Sequence, residues 1–365
     1  MKKKIFLITV GLLLSVLAIS AAAAAGSSSD PLISLSYLED VFLGTLDEEV
    51  ESRLDQSDKT IRSDANGDVG SGLEIASTWT ESRLKAQDVL LGSTGTNVML
   101  LAGSGKVTFP SGAVVDVTTG SEVASGSPLQ TNHRYMVAED TAALFTVTSK
   151  TAVVDYQGGY EFYYSNSVDY NAMASALKSM NLFKGSFTGF GEGFDLEVAP
   201  TRLQALIMFI RVLGEEDEAL AYTGSIPFQD IAPGSQAEKY VGYAYAMGYT
   251  NGYSATTFRP SQTIPVNQYM EFILRALGYS SAATSNLSTT MDRAVEHGVI
   301  TAAEKAMLQS STFLRADLVY VSYYALDAQV ADSSDTLRDV LIDRGVFSSS
   351  ASRKALELVG SDRVW

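Results

Sequence analysis

The period of the apolar residues divides this chain into three zones. From residue 30 to about 87, Leu38, Val41, Phe42 and Leu46 recur at spacings of three and four, followed by Val50, Leu54 and later Leu84. That period puts them on one face of helices, and a Gly/Ser/Asp-rich stretch at 63–72 divides the zone. From 88 to 166 short β-branched runs take over: 97–101 (NVMLL), 106–109 (KVTF), 113–117 (AVVDV), 134–137 (RYMV) and 144–147 (LFTV). Strand-length runs separated by Gly, Ser and Asp clusters predict an antiparallel sandwich or small barrel. From 168 onward the helical period returns. The chain is therefore expected to be α+β: an N-terminal helical segment (26–87), an antiparallel β module (88–166) and an all-α C-terminal half.

That last half repeats itself. Residues 194–214 read FDLEVAPTRLQALIMFIRVLG and 258–278 read FRPSQTIPVNQYMEFILRALG; both run from Phe to Leu-Gly, with Arg211 and Arg275 at the same place. Upstream, Met180-Asn181-Leu182-Phe183-Lys184-Gly185 matches Met247-Gly248-Tyr249-Thr250-Asn251-Gly252. A third copy, matching by pattern, runs from Met291 through His297-Gly298-Val299-Ile300 to Phe313-Leu314-Arg315-Ala316-Asp317. A unit recurring at this length is one supersecondary element that must stack on its neighbours to bury its apolar face. The repeats are bounded at 168–222, 226–281 and 282–330, with a helical tail at 331–365.

The N-terminus alters the picture. Lys2, Lys3 and Lys4 precede an apolar run, and Ala21 to Ala25 offer small residues for cleavage before Gly26. This is the pattern of a secretory signal peptide over residues 1–25; an uncleaved membrane anchor is the alternative, since residues 5–25 barely reach spanning length. There is no cysteine, so lipid attachment through a Cys after the signal, disulfides and thiolate metal sites are all closed. The net charge of −16 argues against nucleic acid as a partner, because phosphate binding needs a basic face. Once the signal is cleaved no membrane partner is expected.

Several candidate chemistries fall short. Asp64-Ala65-Asn66-Gly67-Asp68 opens like a calcium loop, but Val69 and Ile75 stand where Gly and an acid are needed. Gly92-Ser93-Thr94-Gly95-Thr96 lacks the Gly-Lys of a phosphate cradle and reads as a turn. His133 and His297 fall in different zones and read as packed or exposed polar residues. No nucleophile–base grouping or carboxylate pair follows from spacing, so no catalysis, metal or cofactor is expected.

The second copy contains Phe228-Gln229-Asp230, a helix, Asn251-Gly252-Tyr253, Phe258-Arg259-Pro260 and an apolar helix closing on Arg275-Ala276-Leu277-Gly278. This order resembles the S-layer homology domain, patterned as F-x-D, a helix ending in G-x-x-x-G, F-x-P, then I-T-R-A-E opening a second helix. The resemblance implies a three-repeat pseudo-trimer on an exported surface protein of Gram-positive type. Its grooves would bind secondary cell-wall polysaccharide, often pyruvylated and so anionic, through the Arg of I-T-R-A-E and close-approach glycines. In this chain those positions are Arg202 and Arg315, with Gly185, Asn251 and Gly252. The second copy has Pro265-Val266-Asn267-Gln268 in place of T-R-A-E, the third has Leu314 at the threonine, and the repeats hold no Trp; Tyr240 or Tyr243 would have to supply ring stacking. Read on the residues alone, Thr201 and Gln204 form a capping box. Arg202 beside the positive end of a helix would gain from a bidentate anion, or be solvated or ion-paired within the chain. The expected function is non-catalytic anchoring to the wall. The alternatives are a self-associating surface-layer protein with non-binding repeats and a displayed enzyme with its site in the β module.

Overall fold

The computed structural model describes residues 73–139, 141–185, 193–281, 286–360 and 363–364. The signal segment, the helical zone up to residue 72 and the acidic loop at 64–68 lie outside them. Nine strands follow: β1 Glu74–Lys85, β2 Val89–Gly92, β3 Asn97–Ala102, β4 Gly105–Thr108, β5 Ala113–Asp116, β6 Ser121–Val123, β7 Arg134–Ala138, β8 Ala143–Val147 and β9 Thr151–Tyr163. They form one antiparallel sheet in the order β4-β8-β2-β9-β3-β7-β5-β6, with β1 also paired to β9. Inward positions alternate as a strand period requires: Leu90, Val98, Leu100, Tyr135, Val137, Phe145 and Val154 close one apolar core.

The helical reading of 26–87 fails at its end, because residues 74–85 are β1. Only Ala76 and Leu84 of this strand are buried, so no apolar period marks it. Its conformation comes from the ladder with β9, running from Glu74 opposite Tyr160 to Lys85 opposite Thr151; long-range pairing decides here over local spacing.

The second half is helical: α1 Tyr170–Ser179, α2 Arg202–Val212, α3 Glu216–Ala221, α4 Gln236–Ala246, α5 Val266–Ala276, α6 Thr290–Glu296, α7 Ala302–Gln309, α8 Arg315–Ala325, α9 Leu337–Asp343 and α10 Ser349–Leu358. Thr201 and Gln204 make the expected capping box, with Gln204 N donating to Thr201 Oγ1 and Thr201 N to Gln204 Oε1. Among the described residues no helix is long and apolar enough to cross a membrane. One core runs through all these helices, with Phe209, Tyr269, Phe272 and Tyr320 at its centre.

Equivalent helix starts use equivalent backbone bonds. Arg202 N donates to Gln262 O and Leu203 N to Pro260 O; Arg315 N donates to Val198 O and Ala316 N to Leu196 O. Leu196 and Val198 stand in 194–214 where Pro260 and Gln262 stand in 258–278, so the starts of α2 and α8 are held by matching backbone bonds. The β module is fixed to this assembly by Lys150 Nζ, which bonds both carboxylate oxygens of the fully buried Asp317 at 2.6 and 2.8 Å. Asp317 also caps α8 by accepting from Leu314 N.

An ion cluster ties α3 to its neighbours. Glu216 accepts from Arg211, Lys184 and Tyr240. Burial alone would raise its pKa, but those bonds and the Arg211 charge outweigh it and hold the pKa down to about 2. A carboxylate depressed on folding adds stability above its unfolded value of 4.5 and loses it as pH falls towards 2. Glu216→Gln should flatten that acid limb of a plot of unfolding free energy against pH, measured by urea titration, and leave the slope near neutrality unchanged.

Candidate functional site

The F-x-D element organises the loop that follows. Asp230 accepts from the backbone N–H groups of Phe258 and Arg259 at 2.8 and 2.6 Å, and the Phe228 ring packs 6.0 Å from that of Phe258. Gly252 sits at φ +79°, and an added Cβ would lie 2.2 Å from Phe228 Cε1. The glycine is therefore required by the turn and by the aromatic beneath it.

Onto this loop α2 delivers Arg202. Its Nη1 donates to Gln268 Oε1 at 2.5 Å and its Nη2 to Gly252 O at 3.2 Å. The guanidinium carbon lies 4.9 Å above the centre of the Phe258 ring and 5.8 Å from that of Phe272, within the range of cation–π attraction. Arg202 is only 7% exposed, and its Nε has no hydrogen-bond partner among the described residues. Burial first, then repulsion by Arg275, lowers its pKa to about 10, so it is charged at neutral pH. Both hydrogen-bond partners are neutral. Arg202, Asn251, Gly252, Tyr253, Gln268 and Arg275 line an open cavity of about 210 Å³. Three positions singled out in the sequence thus converge from two repeats.

The cavity's acid is already engaged. Glu271, 2% exposed, accepts from Thr290 Oγ1 at 2.8 Å, Arg293 Nη2 at 2.6 Å, Arg275 Nε at 3.4 Å and the Ser280 hydroxyl. Burial opposes its ionisation, yet these donors and the Arg293 charge hold its pKa below the ordinary carboxylate value. Arg275 also donates to Tyr249 O at 3.1 Å.

Residues 227–264, which carry the F-x-D element, the turn and the F-x-P loop, match the S-layer homology domain. The chain carries an S-layer homology domain. A cell surface protein of Thermoanaerobacter kivui is 26% identical over 157 residues, which is 41% of this chain and 20% of that protein; the chain spans about one fifth of that relative's length. Among solved structures, a dTDP-6-deoxy-D-glucose-3,5-epimerase of Legionella pneumophila is 24% identical over 26% of this chain and 53% of its own, with a TM-score of 0.16. A pumpkin pro-11S globulin is 11% identical over 30% and 35%, with a TM-score of 0.17.

Neither of the other two singled-out positions lines the Arg202 cavity. Arg315 pairs with Asp195 at 3.4 Å. At Gly185 an added Cβ would lie 2.9 Å from Gly193 O, so this glycine, like Gly252, is closely approached by the chain itself. The tyrosines expected to offer stacking faces are engaged otherwise: Tyr240 is 4% exposed with its hydroxyl on Glu216, and the Tyr243 hydroxyl bonds Glu215 at 3.0 Å. The exposed ring at the Arg202 cavity is Tyr253, backed by the Arg259 guanidinium 3.5 Å from its centre. Its sequence signal was an aromatic directly after Asn-Gly in the turn.

Proposed function

We propose that this chain is a non-catalytic cell-surface protein that holds to secondary cell-wall polysaccharide through the Arg202 cavity. The S-layer homology match supports a wall-anchoring role, and the name of the Thermoanaerobacter kivui relative agrees with a surface location. The observation that carries the reading is the state of Arg202: a buried cation, lining an open cavity, with neutral hydrogen-bond partners. Burying a charge without a counter-charge is costly. A site that accepts this cost gains it back when an anion arrives, because a desolvated guanidinium binds a carboxylate strongly and along a fixed edge.

In this reading Arg202 meets the glycan's acidic group, Asn251 and Gly252 form the wall of the cleft, and Tyr253 offers its exposed face to a sugar ring. The three helical copies cluster about a pseudo-threefold axis, and the glycan carries pyruvate ketals. Wall retention tests it: the chain should sediment with purified cell walls and stay in solution with walls stripped of their non-peptidoglycan polymer. Equal retention on both would overturn it.

A further inference from the structure

The two arginines that open equivalent helices are in different electrostatic states, and the difference traces to single residues. At the start of α2, the Gln204 side chain turns back to accept from Thr201 N at 2.9 Å. At the equivalent start of α5 the capping position is Pro265, and the helix has no side-chain cap bond. Proline has no backbone N–H, so Gln268 has nothing to turn back to. Its Oε1 takes Arg202 Nη1 instead.

A primary amide can orient a guanidinium but brings no charge to it. Glu271, the cavity's carboxylate, faces Arg275 and Arg293 together with the hydroxyls of Ser280 and Thr290. Arg202 is left positive, with Nε unpartnered among the described residues. Arg315 differs: the chain itself supplies Asp195 as its counter-charge.

We propose that of the two arginines only Arg202 takes an anion, and that Gln268 is the residue that sets this selectivity. The proposal rests on the glycan-binding reading above and adds to it a selectivity between the two arginines and a stoichiometry. The acidic sugar binds one per chain, because of the two arginines only Arg202 has neutral hydrogen-bond partners while Arg315 has a carboxylate of the chain beside it. A carboxylate at position 268 would supply that charge internally, as Asp195 does for Arg315, and close the site without changing its shape.

The test is calorimetric titration of the full chain with a hexoside bearing a pyruvate ketal, and with the methyl ester of the same hexoside. The acid should bind with a stoichiometry near one, and the ester at least tenfold more weakly. Gln268→Glu should weaken the acid at least tenfold and raise the melting temperature through its new pairing with Arg202. Acid binding undiminished in Gln268→Glu while Arg202→Met abolishes it would overturn this proposal and leave the glycan reading standing. Undiminished acid binding in Arg202→Met would overturn the reading itself. Two acid molecules per native chain would also overturn the proposal.

Discussion

Glu271→Ala should lower the free energy of unfolding by about 3–5 kcal/mol, the cost of removing one partner from a buried ion pair. Glu271 is 2% exposed and joins α5 to α6 through Arg293 and Thr290, and to the end of its own repeat through Arg275 and Ser280. Alanine would leave two guanidiniums side by side with no negative charge between them, besides the hydroxyls that lose an acceptor. Urea unfolding followed by circular dichroism reads the change as a lower midpoint with the slope unchanged. Glu271→Gln retains an acceptor and should fall between the two. A loss within about 0.5 kcal/mol, the ordinary size of a surface substitution, would mean that the cluster does not join the repeats as described.

Arg202→Met should act in the opposite direction on stability and strongly on binding. Methionine keeps the length of the stem between Phe258 and Phe272 and removes a buried charge that has only neutral hydrogen-bond partners. Replacing buried charge by apolar volume is often neutral or stabilising, so its melting temperature should equal or exceed that of the native chain. Binding to wall polymer should fall by about 2–5 kcal/mol, roughly thirtyfold or more, as when one side of a desolvated charge pair is truncated. Unchanged stability with lost retention is the signature of a residue kept for its ligand. Lost stability with unchanged retention would make Arg202 a structural residue.

Much of the helical half was legible in the sequence because its repeats share spacing: Phe194 with Phe258, Arg211 with Arg275, and a closing Leu-Gly. The capping box at Thr201 was legible because four adjacent residues suffice to make it. Local pattern could also select Arg202, Asn251 and Gly252, which do meet in one cavity. Strand β1 was hidden because its buried residues, Ala76 and Leu84, are too far apart to show a period, and its partner β9 lies far along the chain.

The electrostatic difference between the two arginines was equally hidden. Whether a guanidinium is compensated depends on what another repeat places beside it, here Gln268 for Arg202 and Asp195 for Arg315. No motif reports that. The Glu271 cluster has the same character, drawing on Ser280, Thr290 and Arg293 from beyond the recognisable pattern. Tyr240 and Tyr243 show the converse. Aromatics at helical spacing looked available, but neighbouring acids on α3 and just before it hold their hydroxyls.

The most direct measurement is a crystal structure of the intact chain soaked with an acidic fragment of the wall polymer. The account predicts the fragment's carboxylate within hydrogen-bonding distance of the Arg202 guanidinium, with a sugar ring against Tyr253. A fragment seated instead at Arg315, or in any cleft that leaves Arg202 without an anion, would contradict it.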